Sequence, residues 1–391
     1  MRRSSRQIQY VLFSCLSALL FLLFVSSRNK ENIVIVDEYS ELGRPKAKAN
    51  VEKVVVGSSP VPVKKDDEKM ACRLPKLEQN RPEVMQFYKD KVTLNCASEN
   101  DWVFVDEEGR LQLTEEAKTK HGADTKCSVS YVLRISDFKE KLQKSSEESM
   151  IGKKLVDSDF FWANCEAANG KKWSGMLMTV VRNESRVEAL KARQRPSDLN
   201  VWPTADRRSL PKTVEFFEKK MGGVVLDGYN IVGDGTPQAF IPILTANTEV
   251  ELPPTRKRDR NANFVDVYPF IWNNFSDAGY ATLYGEDMAN VGIYSYRLKG
   301  FHKQPADHYV RTFFQEAEKK LSNLNCIGSN PMHNVWIKYS NEFMQRYADI
   351  PWFQLLHHGR LSHDDINLVS VMDDDFAANL ETQLGHSRAR S

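Results

Sequence analysis

The sequence predicts an α/β protein with a parallel sheet covered by helices on both faces, preceded by a small disulfide-bonded β-rich domain and an N-terminal transmembrane helix. Three observations support this fold class. An apolar run occupies residues 10–25, four cysteines cluster between positions 72 and 165, and helical patterns alternate with short apolar strands from about residue 198 onward. Helices that alternate with buried strands are typical of a parallel sheet packed on both sides.

The apolar run follows a basic N-terminus that contains Arg2, Arg3 and Arg6. It is shorter than the roughly 20 residues of a typical membrane-spanning helix and lacks an obvious small-x-small cleavage site. We interpret residues 1–9 as a cytosolic tail and residues 10–26 as a transmembrane signal anchor, because the positive-inside rule keeps basic residues in the cytosol. This predicts a single-pass type II membrane protein of the Golgi lumen or cell surface. A cleaved signal peptide, which would release the protein to the extracellular space, is the alternative.

The next two segments differ in composition. Residues 27–70 are polar with a charged run at 64–69 and cannot bury a core, so we predict a stem. Residues 71–197 contain few helical patterns and several short alternating strands, for example at 128–135 and 176–182. This pattern predicts the β-rich domain.

Cysteines and glycosylation sequons both agree with export. The clustered cysteines could form two disulfide bridges in an oxidising compartment, which leaves Cys326 without a partner. The clustered cysteines are Cys72, Cys96, Cys127 and Cys165, and the sequons begin at Asn183 and Asn274. The formal net charge of +2 gives no electrostatic case for nucleic acid or an anionic membrane surface as the main partner. The expected contact with the membrane is made by the N-terminal helix.

Residues 198–385 are predicted to form the α/β domain, followed by a tail at 386–391. Helices are predicted at 211–221, 268–277 and 335–347 and after Pro305, with strands at 280–284 and 352–356. Apolar residues at helical spacing should be core: Tyr309, Phe313, Phe314 and Ala317 after Pro305, and Ile337, Phe343, Met344 and Tyr347 in the later helix. The loop at 357–365 follows a buried strand, and ligands bind at that edge of open α/β sheets.

The most informative stretch surrounds Thr236. A short strand at 224–226 leads through a Gly- and Asp-rich turn at 233–235, and residues 238–245 have a helical pattern. This spacing predicts Thr236 as the N-cap and Pro237 as the first helical residue. Free N–H groups and the helix dipole at that end favour a phosphate or sulfate, and the threonine hydroxyl could be a nucleophile. A helix start without any chemistry is the alternative.

Counting back from Leu244-Thr245, Thr236 occupies the position at which enzymes of the alkaline phosphatase/sulfatase superfamily carry their nucleophile, although Ala246 replaces the usual glycine. Together with the surrounding motifs, roughly residues 70–385 resemble an uncharacterised animal family of that superfamily, the domain-of-unknown-function 229 family. The motifs lie at 210–213, 228–230, 279–287, 300–305 and 362–364. The resemblance implies a partial alkaline-phosphatase-like sheet.

The resemblance also implies hydrolysis of a phosphate or sulfate ester with a divalent metal, zinc or calcium. Such a metal lowers the pKa of the nucleophile and neutralises the transferred group. The resemblance makes Thr236 the nucleophile and His363 a contact of the metal or substrate, with His302 and Asp364 near the substrate. Threonine at this position excludes the formylglycine route of true sulfatases. A purely structural role is the alternative for His363, His302 and His308.

Two parts of the family pattern differ in this sequence. The first core strand, which should end in a metal-binding Gly-x-Asp-Ser, is interrupted by Pro203, so Asp206 is a weak substitute as a metal ligand. After the aspartates at 373–375 the family continues to a strand with Asp-His-Gly, whereas this sequence ends at Ser391. We therefore expect this form to be incomplete and inactive, with no metal bound.

Two further functions remain open from the sequence. The fold could serve as a non-catalytic extracellular binding ectodomain. A Golgi glycosyltransferase is also possible, because the anchor and stem match that architecture and residues 368–372 imitate a strand that leads into a metal-binding Asp-x-Asp at 373–375. An acidic start of a helix at 376–384 explains the same aspartates.

Overall fold

A computed structural model describes residues 80–89, 92–96, 99–193, 209–224 and 232–388, with side chains described as far as residue 382. The predicted tail, anchor, stem and strand at 225–226 lie outside these ranges, as do Cys72 and Asp206. No helix within the ranges is both long and apolar enough to cross a membrane.

The described chain is a mixed α/β structure whose strands form several sheets. In chain order the elements are α1 Pro82–Met85, β1 Val103–Val105, β2 Leu111–Leu113, α2 Glu115–His121, β3 Lys126–Ser136, β4 Lys139–Lys144, β5 Phe160–Glu166, β6 Lys172–Met178, α3 Glu184–Lys191, α4 Pro211–Lys220, α5 Thr236–Thr245, α6 Ile271–Asp277, β7 Ala281–Glu286, β8 His308–Tyr309, α7 Arg311–Lys320, β9 Cys326–Ile327, β10 Asn330–Pro331, α8 Met332–Arg346, β11 Trp352–His357 and α9 Asp373–Arg388. Short 3-10 helices cover Glu249–Glu251, Val265–Val267 and Leu368–Met372.

The β-rich part predicted before residue 197 contains an antiparallel sheet with strand order β4-β3-β5-β6. The strand predicted at 128–135 is confirmed within β3. The one predicted at 176–182 lies earlier, because β6 pairs with β5 from Lys172 to Met178 and ends there. Cys127 and Cys165 are direct neighbours on β3 and β5 and form a disulfide bridge.

The expectation that Cys326 has no partner is wrong. Cys326, the first residue of β9, is disulfide-bonded to Cys96 across 230 positions of sequence, with a Cα–Cα distance of 5.6 Å. That distance is ordinary for a disulfide bridge. Clustering along the chain could not show the pairing, because only the tertiary fold brings the segment 92–96 to β9.

The parallel sheet has the strand order β11-β7-β8, and all six residues of β7 are buried. Alternate residues face two separate apolar clusters, as the two-residue period of a strand requires. One face packs on α7, α8 and α9, and the other on α5 and α6. The prediction of a parallel sheet with helices on both faces is therefore confirmed.

Most of the predicted helices and strands occur, with different ends. Helix α4 agrees closely with the predicted 211–221. Helix α7 begins at Arg311 rather than after Pro305, because His308 and Tyr309 form β8 and pair with β7. The predicted helix at 268–277 is only α6, since Phe270 has an extended backbone. All eight residues predicted to be core in α7, β8, α8 and its C-cap are buried.

The antiparallel sheet and the parallel sheet share one hydrophobic core. Val132 and Phe160 of the antiparallel sheet belong to the same buried cluster as Phe313 of α7 and Tyr339 of α8. The ring centroids of Phe160 and Phe313 are 5.9 Å apart. Helices α7 and α8 therefore pack between the two sheets. The predicted boundary at 197–198 lies outside the described residues.

The three aspartates at 373–375 stabilise the fold. Asp373 accepts hydrogen bonds from the backbone N–H groups of Lys212 and Thr213 and so caps α4. Asp374 pairs with the Lys212 side chain, and Asp375 lies 2.8 Å from Nε2 of His333. Residues 368–372 are a 3-10 helix instead of a strand, and α9 starts within the triplet. The glycosyltransferase hypothesis thereby loses the observation that supported it.

Candidate functional site

Charged and polar side chains meet at the carboxyl edge of the parallel sheet. Strands β7 and β11 end in register, with Glu286 opposite His357. The next residues along the two strands are Asp287 and His358. In open α/β sheets this edge is the usual place for a ligand.

Asp287 and His358 form a buried pair. His358 Nδ1 lies 2.8 Å from Asp287 Oδ2, and neither side chain is exposed to solvent. The backbone N–H of Gly359 donates a hydrogen bond of 2.7 Å to Asp287 Oδ1. Burial alone raises the pKa of Asp287, but the attraction of His358 and these hydrogen bonds outweigh burial, and the net shift is downward. Asp287 is therefore a carboxylate at neutral pH.

His357 is a neutral imidazole at the same edge. Burial is the main cause that lowers the pKa of His357 to about 4. The neighbouring His358 and His363 lower this pKa further, whereas Asp287 raises it. Its Nε2 atom is buried and has no hydrogen-bond partner among the described residues. Its ring centroid lies 5.0 Å from that of Phe240 on α5. A neutral imidazole with a free ring nitrogen can accept a proton or bind a ligand.

Thr236 is half-buried at the start of α5, one position later in the helix than predicted. The N-cap is Gly235, with φ of 104°, and Thr236 is the first helical residue. Glycine suits this position because other residues rarely adopt such a φ. The hydroxyl is still at the end of the helix where unpaired N–H groups and the positive end of the dipole are found.

Arg297 joins this helix end, which the sequence did not indicate. Its Nη1 atom donates a hydrogen bond of 2.9 Å to the carbonyl of Asp234. A Cβ atom at Gly235 would lie only 3.1 Å from the same nitrogen. Arg297 is exposed, so its guanidinium brings a solvent-accessible positive charge next to Gly235, the residue before Thr236. No local pattern marks this arginine, because it lies 61 positions further along the chain.

The segments that carry Thr236 and His363 meet at the same sheet edge. Phe240, one helical turn after Thr236, contacts His357, and His363 is close enough to His357 to influence its pKa. His363 is exposed, and its Nδ1 atom lies 2.7 Å from Asp364 Oδ1. The structure thus places Thr236, His363 and Asp364 on neighbouring segments of one region.

The other predicted histidines have structural contacts. The ring of His302 packs on Phe264 at 5.3 Å, and its backbone N–H bonds to Asp266. His308 is buried, with Nδ1 at 2.6 Å from Asp159 and Nε2 at 2.8 Å from the Tyr347 hydroxyl. His302 and His308 therefore hold loops and helices in place within the described region.

The side chains described do not fit the metal site that the resemblance implies. Within the ranges given above, no three His, Cys, Asp or Glu side chains are arranged to share one metal ion. At the sheet edge, Asp287 and His358 carry side chains of the kinds that bind metals, but they already pair with each other. We derive no chemical step through a metal.

The family model described as "Protein of unknown function (DUF229)" matches residues 89–386. The chain belongs to this family, which confirms the family part of the resemblance. No curated protein and no solved structure shows a significant match.

Proposed function

We propose that this protein is an exported member of the alkaline phosphatase/sulfatase superfamily that binds a phosphate or sulfate ester at Thr236 and hydrolyses it slowly or not at all. One observation carries the proposal. Helix α5, which begins at Thr236, packs through Phe240 on His357 at the carboxyl edge of the parallel sheet. The helix end, the candidate nucleophile and the polar sheet edge therefore belong to one region.

The electrostatics of this region favour an anion. The first turn of α5 offers unpaired backbone N–H groups and the positive end of the helix dipole. Arg297 adds a guanidinium beside Gly235, and arginine forms strong, directional hydrogen bonds to phosphate oxygens. An ester oxygen at this point would lie next to the Thr236 hydroxyl.

We expect hydrolysis to be slow or absent because, among the described residues, the region lacks a group that would activate the Thr236 hydroxyl. A threonine is a weak nucleophile unless a base or a metal lowers its pKa. Asp287 is held by His358 and by backbone N–H groups, so it is not free to act on Thr236. In the superfamily zinc or calcium would supply this activation, and the described residues do not assemble such a site.

Disulfides and sequons support export to the Golgi lumen, the cell surface or the extracellular space. The bridges Cys96–Cys326 and Cys127–Cys165 are stable only in an oxidising compartment. Asn183 and Asn274 are both exposed and accessible to glycosylation. The proposed anchor at 10–26 would make this a type II membrane protein.

The experiment combines binding and turnover. Purified full-length protein is titrated with 4-nitrophenyl phosphate and 4-nitrophenyl sulfate, with and without zinc, manganese or calcium. We expect saturable binding that Thr236→Ala weakens and Thr236→Ser, which keeps the hydroxyl, retains. Turnover that Thr236→Ala abolishes would contradict the slow-hydrolysis part, whereas equal binding by wild type and Thr236→Ala would contradict the site itself.

A non-catalytic binding ectodomain is the second candidate. It is favoured by the Asp287–His358 pair, which is fully buried and whose members face each other instead of a substrate. Two results together would support the binding ectodomain over the ester site. The purified protein should capture a cell-surface partner and lose it when exposed residues such as His363 are substituted. It should also show no ester binding.

A further inference from the structure

A groove lies between the antiparallel sheet and helix α8, and nothing in the candidate site above uses it. The cavity has a volume of about 320 Å³ and opens between β1, the end of β6, the β9–β10 turn and α8. Its apolar wall consists of Phe104, Val105, Leu177 and Met178. Phe104 is 40% exposed and so presents apolar surface at the groove. The size and mixed lining are those of a site for a small molecule.

Two opposite charges face the groove from different elements. Asp101 precedes β1, and Lys338 lies on α8. The ammonium of Lys338 attracts the Asp101 carboxylate electrostatically, yet the two do not form an ion pair. Lys338 has no hydrogen-bond or ion-pair partner among the described side chains, and it is exposed.

Asp101 has little local compensation. Asn330 donates one hydrogen bond of 2.9 Å to Oδ2. The Oδ1 atom lies 3.0 Å from the position that a Cβ atom at Gly328 would occupy. A half-buried carboxylate with one side-chain hydrogen bond is stabilised when a cation approaches it.

The other two carboxylates of the groove already have partners. Glu116 pairs with Lys120 and accepts a hydrogen bond from Asn100. Glu342 pairs with Arg346 and accepts a hydrogen bond from Thr179. Asp101 and Lys338 are thus the groups whose charges are left for a ligand.

We propose that this groove binds a zwitterionic α-amino acid with an apolar side chain. The ligand ammonium donates to Asp101, the ligand carboxylate accepts from Lys338, and the side chain packs on Phe104, Leu177 and Met178. A ligand with both charges bridges two groups that do not reach each other. Charge-assisted hydrogen bonds of this kind are among the strongest in proteins, and a wall of apolar side chains selects an apolar side chain in the ligand.

The proposal has a pH consequence. Burial raises the pKa of Asp101 to about 6, opposed by Lys338 and Asn330. Protonation of Asp101 removes the negative charge that holds the ammonium. Binding should therefore weaken as pH falls through about 6.

The experiment is calorimetric titration of the full-length protein with L-leucine, L-methionine and L-phenylalanine. N-acetyl-L-leucine, which lacks the cation, and L-leucinamide, which lacks the anion, are the ligand controls. At least one free amino acid should saturate the site, and each control ligand should bind tenfold or more weakly, about the effect of losing one charge-assisted hydrogen bond.

Asp101→Asn and Lys338→Met test the two charges in the protein. Each should weaken binding at least tenfold, whereas Lys141→Met, at an exposed lysine of β4, should leave it unchanged. Circular dichroism shows whether each variant folds. The ligand series on the wild type decides the question even if a variant does not fold: absence of saturable binding by all three amino acids, or binding of N-acetyl-L-leucine and L-leucinamide as tight as that of L-leucine, would overturn the proposal.

Discussion

Asp287 Oδ2 lies 2.8 Å from His358 Nδ1 at the ends of two neighbouring parallel strands, and both side chains are completely buried. This pair ties the carboxyl end of β7 to that of β11. It fixes the loop that carries His363 by accepting the Gly359 and Arg360 backbone N–H groups. The sheet edge is therefore rigid on this side, while Thr236 and Arg297 approach from α5 and the loop after β7.

Removal of one member of this pair should be costly. We expect Asp287→Asn to lower the free energy of unfolding by about 1.5–3 kcal/mol, because it removes a buried carboxylate that faces His358 and accepts hydrogen bonds from the backbone N–H groups of Gly359 and Arg360. Urea denaturation of the full-length protein measures the change. Asp364→Asn is the matched control, since Asp364 makes the same contact with His363 at 2.7 Å but in solvent, and it should change stability by less than about 0.5 kcal/mol. Equal effects of the two substitutions would contradict this prediction.

The disulfide Cys96–Cys326 can be distinguished experimentally from a pairing within the cysteine cluster, which the sequence led us to expect. Peptide mapping by mass spectrometry under non-reducing conditions should recover the peptide of Cys96 linked to that of Cys326. The double variant Cys96→Ser/Cys326→Ser should lose about 2–5 kcal/mol of stability, as removal of a disulfide does in exported domains. A peptide that links Cys96 to Cys72 would contradict the structure.

The sequence revealed those features of the fold that depend on local patterns. Apolar periodicity identified α4, α8 and β11, and the Gly-Asp turn identified the start of α5. The features it did not reveal depend on residues far apart in sequence: Cys96 with Cys326, Asp373 with the start of α4, and Arg297 with Gly235. The aspartate triplet shows this most clearly, because one local pattern fitted both a metal-binding strand end and a helix start, and only the contacts with Lys212, Thr213 and His333 distinguish them.

The contact between His308 and Asp159 leads us to predict that the folding stability depends on pH. Burial lowers the pKa of His308, but Asp159 raises it by more, so the net shift is upward. A histidine whose pKa is higher in the folded protein than in the unfolded chain stabilises the fold at pH values below the unfolded pKa of about 6.5. This contribution to stability is lost as pH rises through the folded pKa. The stability difference between wild type and Asp159→Asn should therefore be larger at about pH 6 than at about pH 9.

Urea titrations at the two pH values test this, and the difference between variants cancels effects of pH on the rest of the protein. Asp364→Asn, beside the exposed His363, serves as the control and should show no such change. A difference for Asp159→Asn that is the same at both pH values would contradict the proposed role of this carboxylate.

Arg297 should matter for ester binding. Arg297→Ala removes the guanidinium beside Gly235 and should weaken binding of 4-nitrophenyl phosphate by tenfold or more, since a hydrogen bond to a charged group contributes about 1.5–3 kcal/mol. Calorimetric titration measures the loss. Arg258→Ala, at an exposed arginine next to Asp259, is the control for a general change in surface charge. Unchanged binding in Arg297→Ala would exclude this arginine from the site.

The position of a bound oxyanion tests the proposed site most directly. A crystal structure of the full-length protein with tungstate, a heavy analogue of phosphate and sulfate, shows where the anion binds. The proposed site predicts tungstate at the first turn of α5, within hydrogen-bonding distance of the Thr236 hydroxyl and the Arg297 guanidinium. Tungstate bound elsewhere, with none at this helix end, would contradict it.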